Sequence, residues 1–360
     1  MGTALITGSG GLIGAESVRH FAEAGYDVVG IDNDLRARFF GPSGSTRPAN
    51  DRLLATYPDY RLWDVDIRDE DAVDTAFANA TGVELIVHAA AQPSHDWSAA
   101  NPRVDFAINA VGTMNLLEAA RRHSPDATFI FASTNKVYGD RPNRLPVVEL
   151  HQRFDLPDDH PFFEGVDTSM SVDRSLHSPF GASKVAADLM VQEYGRYFDM
   201  PTGCFRCGCL TGPSHAGVEL HGFLSYLMRC TVTGERYTVL GYGGKQVRDN
   251  LHSGDVVAAF AAFHEAPRKA AVYNLGGGRK SNCSMLEAIA ACSRISGSEL
   301  DWQLRDDARK GDHRWWISDV GPFRRDYPAW DVRHDVEGIL REIHDQNAER
   351  WLTSRGPRSS

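Results

Sequence analysis

Phe131-Ala132-Ser133-Thr134-Asn135-Lys136-Val137-Tyr138 leaves an apolar run with two hydroxyls, an amide and an amine in succession. If that run is a strand of an open α/β sheet, its carboxyl end faces the ligand crevice, and these groups are active-site candidates. Ser178-Pro179-Phe180-Gly181-Ala182-Ser183-Lys184 brings a second amine at the start of a long helical pattern. Hydroxyls can bind a substrate oxygen. An amine stripped of water loses basicity and can serve as a proton acceptor or as a cation for an anionic ligand.

A third group sits at the N-terminus. Thr7-Gly8-Ser9-Gly10-Gly11-Leu12-Ile13-Gly14 follows the apolar run Ala4-Leu5-Ile6 and leads into a helical pattern over 15–24. Glycines there let a pyrophosphate approach the backbone, and the helix start supplies N–H groups and a positive dipole end. Asp32 ends the next apolar run and suits the adenosine ribose hydroxyls. These residues predict a dinucleotide site. Asp32 favours NAD over NADP, since a carboxylate repels a 2′-phosphate, although Arg36 and Arg38 follow it as loop charges. The spacing is G-x-x-G-x-x-G. Asp66, in Asp66-Ile67-Arg68-Asp69, can meet the adenine amino group. Ala89, Ala90 and Ala91 are small enough for the cofactor to lie against their backbone, and Asn109 is a mid-helix asparagine that something must use.

Strands at Ile6, 28–31, 60–62, 85–88, 128–132 and 202–206 alternate with helices at 15–24, 69–78, 102–122 and 182–198. That alternation predicts an α/β fold, a Rossmann-type doubly wound parallel sheet. Beyond Gly212 the alternation loosens into a smaller mixed α/β substrate domain. The expected domains are 1–212, with a lid-like insertion at 140–178, and 213–352, with 248–275 partly returning to the first; 353–360 is a polar tail. The insertion is proline-rich, acidic and aperiodic, which marks a functional loop.

At 360 residues with 42% hydrophobic content, the chain can bury a sizeable core. A net charge of −10 argues against nucleic acid as a partner. No apolar run approaches membrane-spanning length, and the N-terminus opens directly into a strand. A cytoplasmic protein without membrane contact is expected. The six cysteines show no zinc spacing, so no metal is expected.

With these motifs in hand, the chain resembles the extended short-chain dehydrogenase/reductases, the NAD-dependent sugar-nucleotide epimerases and dehydratases. Further matching segments are Gly244-Lys245-Gln246-Val247-Arg248-Asp249 with His252 and Asp255, and Tyr273-Asn274-Leu275-Gly276-Gly277. Ser133 to Asp140 is most similar to the CDP-paratose (CDP-tyvelose) 2-epimerases. The resemblance implies NAD as cofactor, held by Gly8, Gly11, Leu12, Ile13, Gly14, Asp32, Asn33, Asp66, Ile67, Ala89, Ala90, Ala91, Asn109 and Lys184. It implies a nucleotide- or nucleoside-linked sugar as substrate, met by Gln92, Ser94, His95, His221 and Arg248. It also implies a homodimer built on the helices 102–122 and 182–198.

In that family a Ser or Thr, a Tyr and a Lys carry the redox step. Thr134 and Lys184 match; the tyrosine position is Phe180. Phenylalanine has no proton to exchange. The chain is then an engineered Tyr→Phe variant, a member using another base, or a silent NAD-binding sensor or scaffold. Lys136 is a substitute base or a substrate-binding cation, with Tyr138, Asp140, His177 and Cys207 as weaker candidates. Family dehydratases carry an acid where Asn135 stands, which argues against standard 4,6-dehydration. The leading expectation is redox-neutral 2-epimerisation through a transient ketone. The alternative is elimination of water, with Lys136 removing the carbon-bound proton.

Overall fold

The computed structural model describes residues 2–215, 222–308 and 311–353. Seven parallel strands form one sheet in the order 271–275, 202–207, 128–134, 83–88, 3–7, 27–31, 61–63. Register aligns their carboxyl ends: Thr7 lies opposite both Ile31 and His88, and Thr134 lies opposite Cys207.

Alternation along the strands fills two apolar layers. Ala4, Ile6, Leu85, Val87 and Ile130 point to one face, where they meet residues of the helices Leu12–Glu23 and Ser253–Glu265. Leu5, Ile86, Phe129 and Phe131 point to the other, against the helices Glu70–Asn79, Gly112–His123 and Pro179–Tyr197. A sheet covered on both faces needs such near-continuous apolar strands. This is the Rossmann-type fold expected from the alternation.

The second core contains Leu224, Leu227, Met228, Ile289, Ile339, Leu340 and Ile343, from the helices Phe223–Thr233, Met285–Ser296 and Val336–Thr353. Beside it lie the paired strands 237–240 and 302–305, and a mixed sheet built on Val247–His252. His252 caps the next helix, its Nδ1 accepting the Gly254 N–H at 3.1 Å, while Nε2 faces Glu342 of the last helix at 3.0 Å.

The segment 140–178 is short turns and one two-residue hairpin, 148–149 with 154–155. Val166 exchanges backbone bonds with Ile317 and Asp319, and Leu156, Val166 and Met170 share a core with Tyr138, Trp315 and Trp316. Two helices, Leu35–Phe40 and Arg47–Thr56, fill the connection from the second strand to the third, where the sequence pattern shows no clear period.

His88 ends its strand fully enclosed, its Nδ1 2.8 Å from Thr7 Oγ1 and Nε2 2.9 Å from Thr113 Oγ1. Burial lowers its pKa to about 3, with the nearby Lys184 acting in the same direction. The unfolded imidazole keeps its ordinary value near 6.5, so the unfolded chain binds more protons below that pH. Stability is therefore full above about pH 6.5 and declines as pH falls towards 3. One such group accounts for about 1.4 kcal/mol per pH unit. Urea unfolding of His88→Gln between about pH 6 and pH 4 is expected to show a slope shallower by that amount; an unchanged slope refutes the assignment.

Candidate active site

One cavity of about 1030 Å³ runs across the carboxyl ends of the strands and into the second core's edge. Its first end is built by the glycine turn. Gly8 has φ +68°, and a Cβ on it would lie 2.8 Å from the Ala90 backbone. A Cβ on Gly14 would lie 2.0 Å from the Gly8 carbonyl oxygen. Only glycine lets strand, turn and helix close this tightly. The helix starting at Leu12 has no side-chain cap hydrogen bond and no acid in its first turn, so its N–H groups suit an anion.

Asp32 is set at the next strand end. Its Oδ2 accepts from Gly10 N at 2.9 Å, and its Oδ1 from Asp34 N and Thr46 Oγ1, each at 2.9 Å. Asn33, Asp66, Ile67, Ala89, Ala90 and Ala91 continue the lining. Asp66 Oδ1 accepts from Arg68 Nε at 2.9 Å, and this pairing lowers its pKa. The donors, the small residues and the carboxylate fit a dinucleotide laid across the strand ends.

The second end holds Thr134, Asn135, Lys136, Phe180 and Lys184. Thr134 Oγ1 accepts Lys136 N at 3.2 Å and so caps the short turn Asn135–Tyr138. Lys136 Nζ donates to Gly311 O at 2.9 Å and lies 3.8 Å from Asp312 Oδ1. Desolvation lowers its pKa to about 8, with Asp312 opposing and Arg248 assisting. Lys184 Nζ donates to Ala132 O at 3.0 Å and stands 4.1 Å over the Phe131 ring; burial again brings it to about 8.

Phe180 lines the same space, 6% exposed, with the His95 ring edge-on at 4.9 Å. His95 Nδ1 is 2.7 Å from Ser178 Oγ. Arg248 reaches the cavity with Nη2 3.6 Å from Asp312 Oδ1.

Beneath this surface lies a buried ion pair. Arg206 donates to Asp188 through Nε at 3.1 Å and Nη2 at 2.7 Å, and Ser133 Oγ donates to the same carboxylate at 2.6 Å. Arg206 also donates to Tyr138 Oη, which donates to Asn274 Oδ1 at 2.7 Å. Tyr138 is therefore a structural phenol, its pKa raised by burial. It stacks on Trp316 and lies away from the cavity lining.

Three residues expected at ligands lie elsewhere. Asn109, Gln92 and Ser94 are buried and do not line the cavity. Asn109 sits in a π turn over 107–111; its Oδ1 accepts Gln92 N, and its Nδ2 donates to Gln92 O and Asp105 Oδ1. Gln92 bonds Ser94 and Asp105. Their polarity serves the loop after the fourth strand. His221 lies outside the described residues. Trp315 and Trp316 are fully buried packing residues. Cys207 and Cys209 line the cavity, but burial raises their pKa values to about 12 and about 11, so both are protonated thiols at neutral pH.

The sequence reading missed Thr46, Pro48 and Arg52 from the 35–56 connection, and Gln346, Asn347 and Arg350 from the last helix. The proline at the start of Arg47–Thr56 was the available signal for the first group; nothing in the pattern of the last helix marked the second.

A profile of the NAD dependent epimerase/dehydratase family matches residues 4–276. The chain belongs to that family. It is an enzyme, and its cofactor is NAD. It is 29% identical to the CDP-paratose 2-epimerase of Salmonella typhi over 325 residues, 88% of this chain and 90% of that one. It is 29% identical to the dTDP-glucose 4,6-dehydratase of Neisseria gonorrhoeae, covering 92% and 87%. The UDP-glucose 4-epimerase of Thermus thermophilus, solved with NAD, superposes with a TM-score of 0.76 at 22% identity, covering 96% of this chain and 98% of that one.

When bound, NAD supplies a hydride acceptor that can return the hydride. Gly8, Gly11, Gly14 and Asp32 line the end of the cavity whose shape fits an adenosine half, and Lys184 lines the other end. Gly14→Ala must force the turn apart from the Gly8 carbonyl. Overpacking of this kind costs about 1–3 kcal/mol, equivalent to roughly 10–100-fold in NAD affinity. Calorimetric titration with NAD checks it, and unchanged affinity would sink the placement.

Proposed function

We propose that this enzyme inverts a sugar carbon, C2 in the leading reading, of a nucleotide-linked sugar by oxidation to a ketone and re-reduction on the opposite face. The observation that carries it is Lys136: a largely enclosed amine, its side chain 16% exposed and its pKa near 8, facing the cavity in which Phe180 replaces the usual phenol. A neutral Lys136 Nζ accepts the proton of the substrate hydroxyl as the carbon gives up its hydride, and returns that proton on reduction. Thr134 Oγ1 binds the same substrate oxygen. Lys184, kept cationic, orients the ribose of the cofactor. Substrate, nucleotide and cofactor enter and leave with no net change of oxidation state.

The cavity's cations support an anionic ligand in a chain of net charge −10. Arg248 with its guanidinium suits a pyrophosphate, and Arg36, Arg52 and Arg350 add positive charge to the lining. Asn135 lacks an acidic proton, which favours epimerisation over elimination.

Incubation with a panel of nucleotide hexoses and nucleosides, read by mass spectrometry and chromatography, tests the reaction. An isomer of unchanged mass is expected. Loss of a water mass would show elimination, and no turnover would favour a silent NAD-binding protein. Lys136→Ala is expected to lower kcat by roughly 10²–10⁴-fold with little change in NAD affinity. Activity requires neutral Lys136 and cationic Lys184, both near 8, so kcat/KM is expected to rise and fall around about pH 8.

We also propose a homodimer through the neighbouring helices 102–123 and 179–197. Phe106, Val111, Met114, Leu189 and Tyr197 are exposed there, an apolar surface that water does not favour. Sedimentation of the double variant Met114→Lys, Leu189→Lys is expected to give monomer where the parent gives dimer. A parent that sediments as monomer overturns this.

A further inference from the structure

Asp105 is fully buried in the helical segment Pro102–Phe106, and no role was assigned to it from sequence. Among the described residues it forms no ion pair, unlike the buried Asp188, which Arg206 grips at 2.7 Å. Its Oδ1 instead accepts Gln92 Nε2 at 2.6 Å and Asn109 Nδ2 at 3.1 Å. Its Oδ2 accepts Ser183 Oγ at 2.6 Å. Ser183 directly precedes Lys184 on the helix, and its hydroxyl also lies 3.0 Å from the Phe180 carbonyl.

A buried carboxylate is costly unless hydrogen bonds and a nearby cation offset its lost hydration. Three donors meet the first need. The second points to the adjacent lysine. We propose that Asp105 is a positioning residue for Lys184: through Ser183 it fixes the helical turn that carries the amine, and its buried negative charge holds that amine as an ammonium.

Every element around Lys184 bears on this. Asp188, one turn along the same helix, favours the ammonium, but Arg206 shares its charge. Cys204 and Cys207 of the neighbouring strand are protonated thiols, with pKa values raised by burial. His88 on the strand 83–88 is neutral at its depressed pKa. Phe131 offers its ring face and Ala132 its carbonyl. Asp105 also favours the ammonium, after Asp188, Cys207 and Cys204 in size of effect, and among the described residues it is the contributing carboxylate that no guanidinium grips. Burial raises the pKa of Asp105, and Ser183, Gln92 and Lys184 each oppose that rise. Lysine and aspartate thus support each other's charged forms.

This inference deepens the reading of Lys184 as the cation at the nicotinamide end, and its test does not depend on turnover. The chain has six lysines, at 136, 184, 245, 269, 280 and 310, so their side-chain signals can be followed individually by NMR with labelled lysine. Lys184→Arg assigns the signal of interest. In the parent chain that signal is expected to titrate near about 8. In Asp105→Asn, which keeps shape and loses charge, the midpoint is expected to fall below the parent value. Asp105→Glu, keeping the charge, should restore most of the parent value. Should Asp105→Asn fail to fold, Asp105→Ser carries the same titration. A midpoint unmoved in a folded, uncharged variant overturns the proposal, as does an equal fall in Asp105→Glu. A Lys184→Met chain with parental NAD affinity and turnover would refute the functional reading of Lys184 while leaving the electrostatic result intact.

Discussion

The ion pair between Asp188 and Arg206 is the constraint on which the end of the cavity at Phe180 and Lys184 depends. It joins the helix Pro179–Tyr197 to the strand Thr202–Cys207, and it takes in Ser133 beside Thr134 and Tyr138 at the far end of the next turn. Both partners are nearly inaccessible, the Asp188 side chain 1% and the Arg206 side chain 8% exposed. Removing one partner from such a pair costs about 3–5 kcal/mol, because the other is left charged without water. A packed apolar pair in its place would hold the elements together equally well. It would not fix the rotation of the helix about its axis, which is what aims Phe180 and Lys184 into the cavity. The fork of the guanidinium sets that rotation, because both its nitrogens must find the carboxylate at once.

The glycine turn at the first end of the cavity was readable because it requires backbone geometry that few residues allow. Gly8 needs a positive φ, and Gly14 has no room for a Cβ, so glycine spacing carries the shape of the turn in the letters themselves. The strands were readable for a related reason: burial on both faces leaves uninterrupted apolar runs such as Phe129-Ile130-Phe131. Asn109 and Gln92 show the limit. A polar residue in an apolar helix signals that something needs it, but the sequence does not say whether that partner is a ligand or a loop. Here the loop after the fourth strand, Asp105 and Ser183 take the side-chain bonds. The helices at 35–40 and 47–56 stayed hidden because their contacts with the site, such as Thr46 to Asp32, join positions whose pairing follows no period.

Charge in the cavity departs from charge on the whole molecule. Arg36, Arg52, Lys136, Lys184, Arg248 and Arg350 line it, against Asp32, Asp66, Asp96 and Asp312. In a chain of net charge −10, long-range attraction of an anion is weak, so recognition must come from the cavity itself. Desolvation makes that local charge effective. Lys136 and Arg248 both face Asp312, which keeps two cations in a confined space from repelling each other apart. An arriving pyrophosphate would meet Arg248 already oriented, at the cost of weakening its link to Asp312.

Phe180 removes one proton carrier from the site and changes the environment of the others. A phenol in that position would share a proton with Lys184 and draw it towards the ammonium form. With a phenyl ring, Lys184 faces an apolar edge, and its charge must be sustained from behind the helix. The protein supplies this from Asp188 and, on the proposed role, from Asp105. Lys136 receives less help: Asp312 favours its charge, but Arg248 opposes it. Two amines of the same type, in the same cavity and each brought near 8 by burial, can therefore divide the work. On the proposed roles one serves as the cation and the other as the base near that pH, so the loss of the phenol need not be the loss of the base.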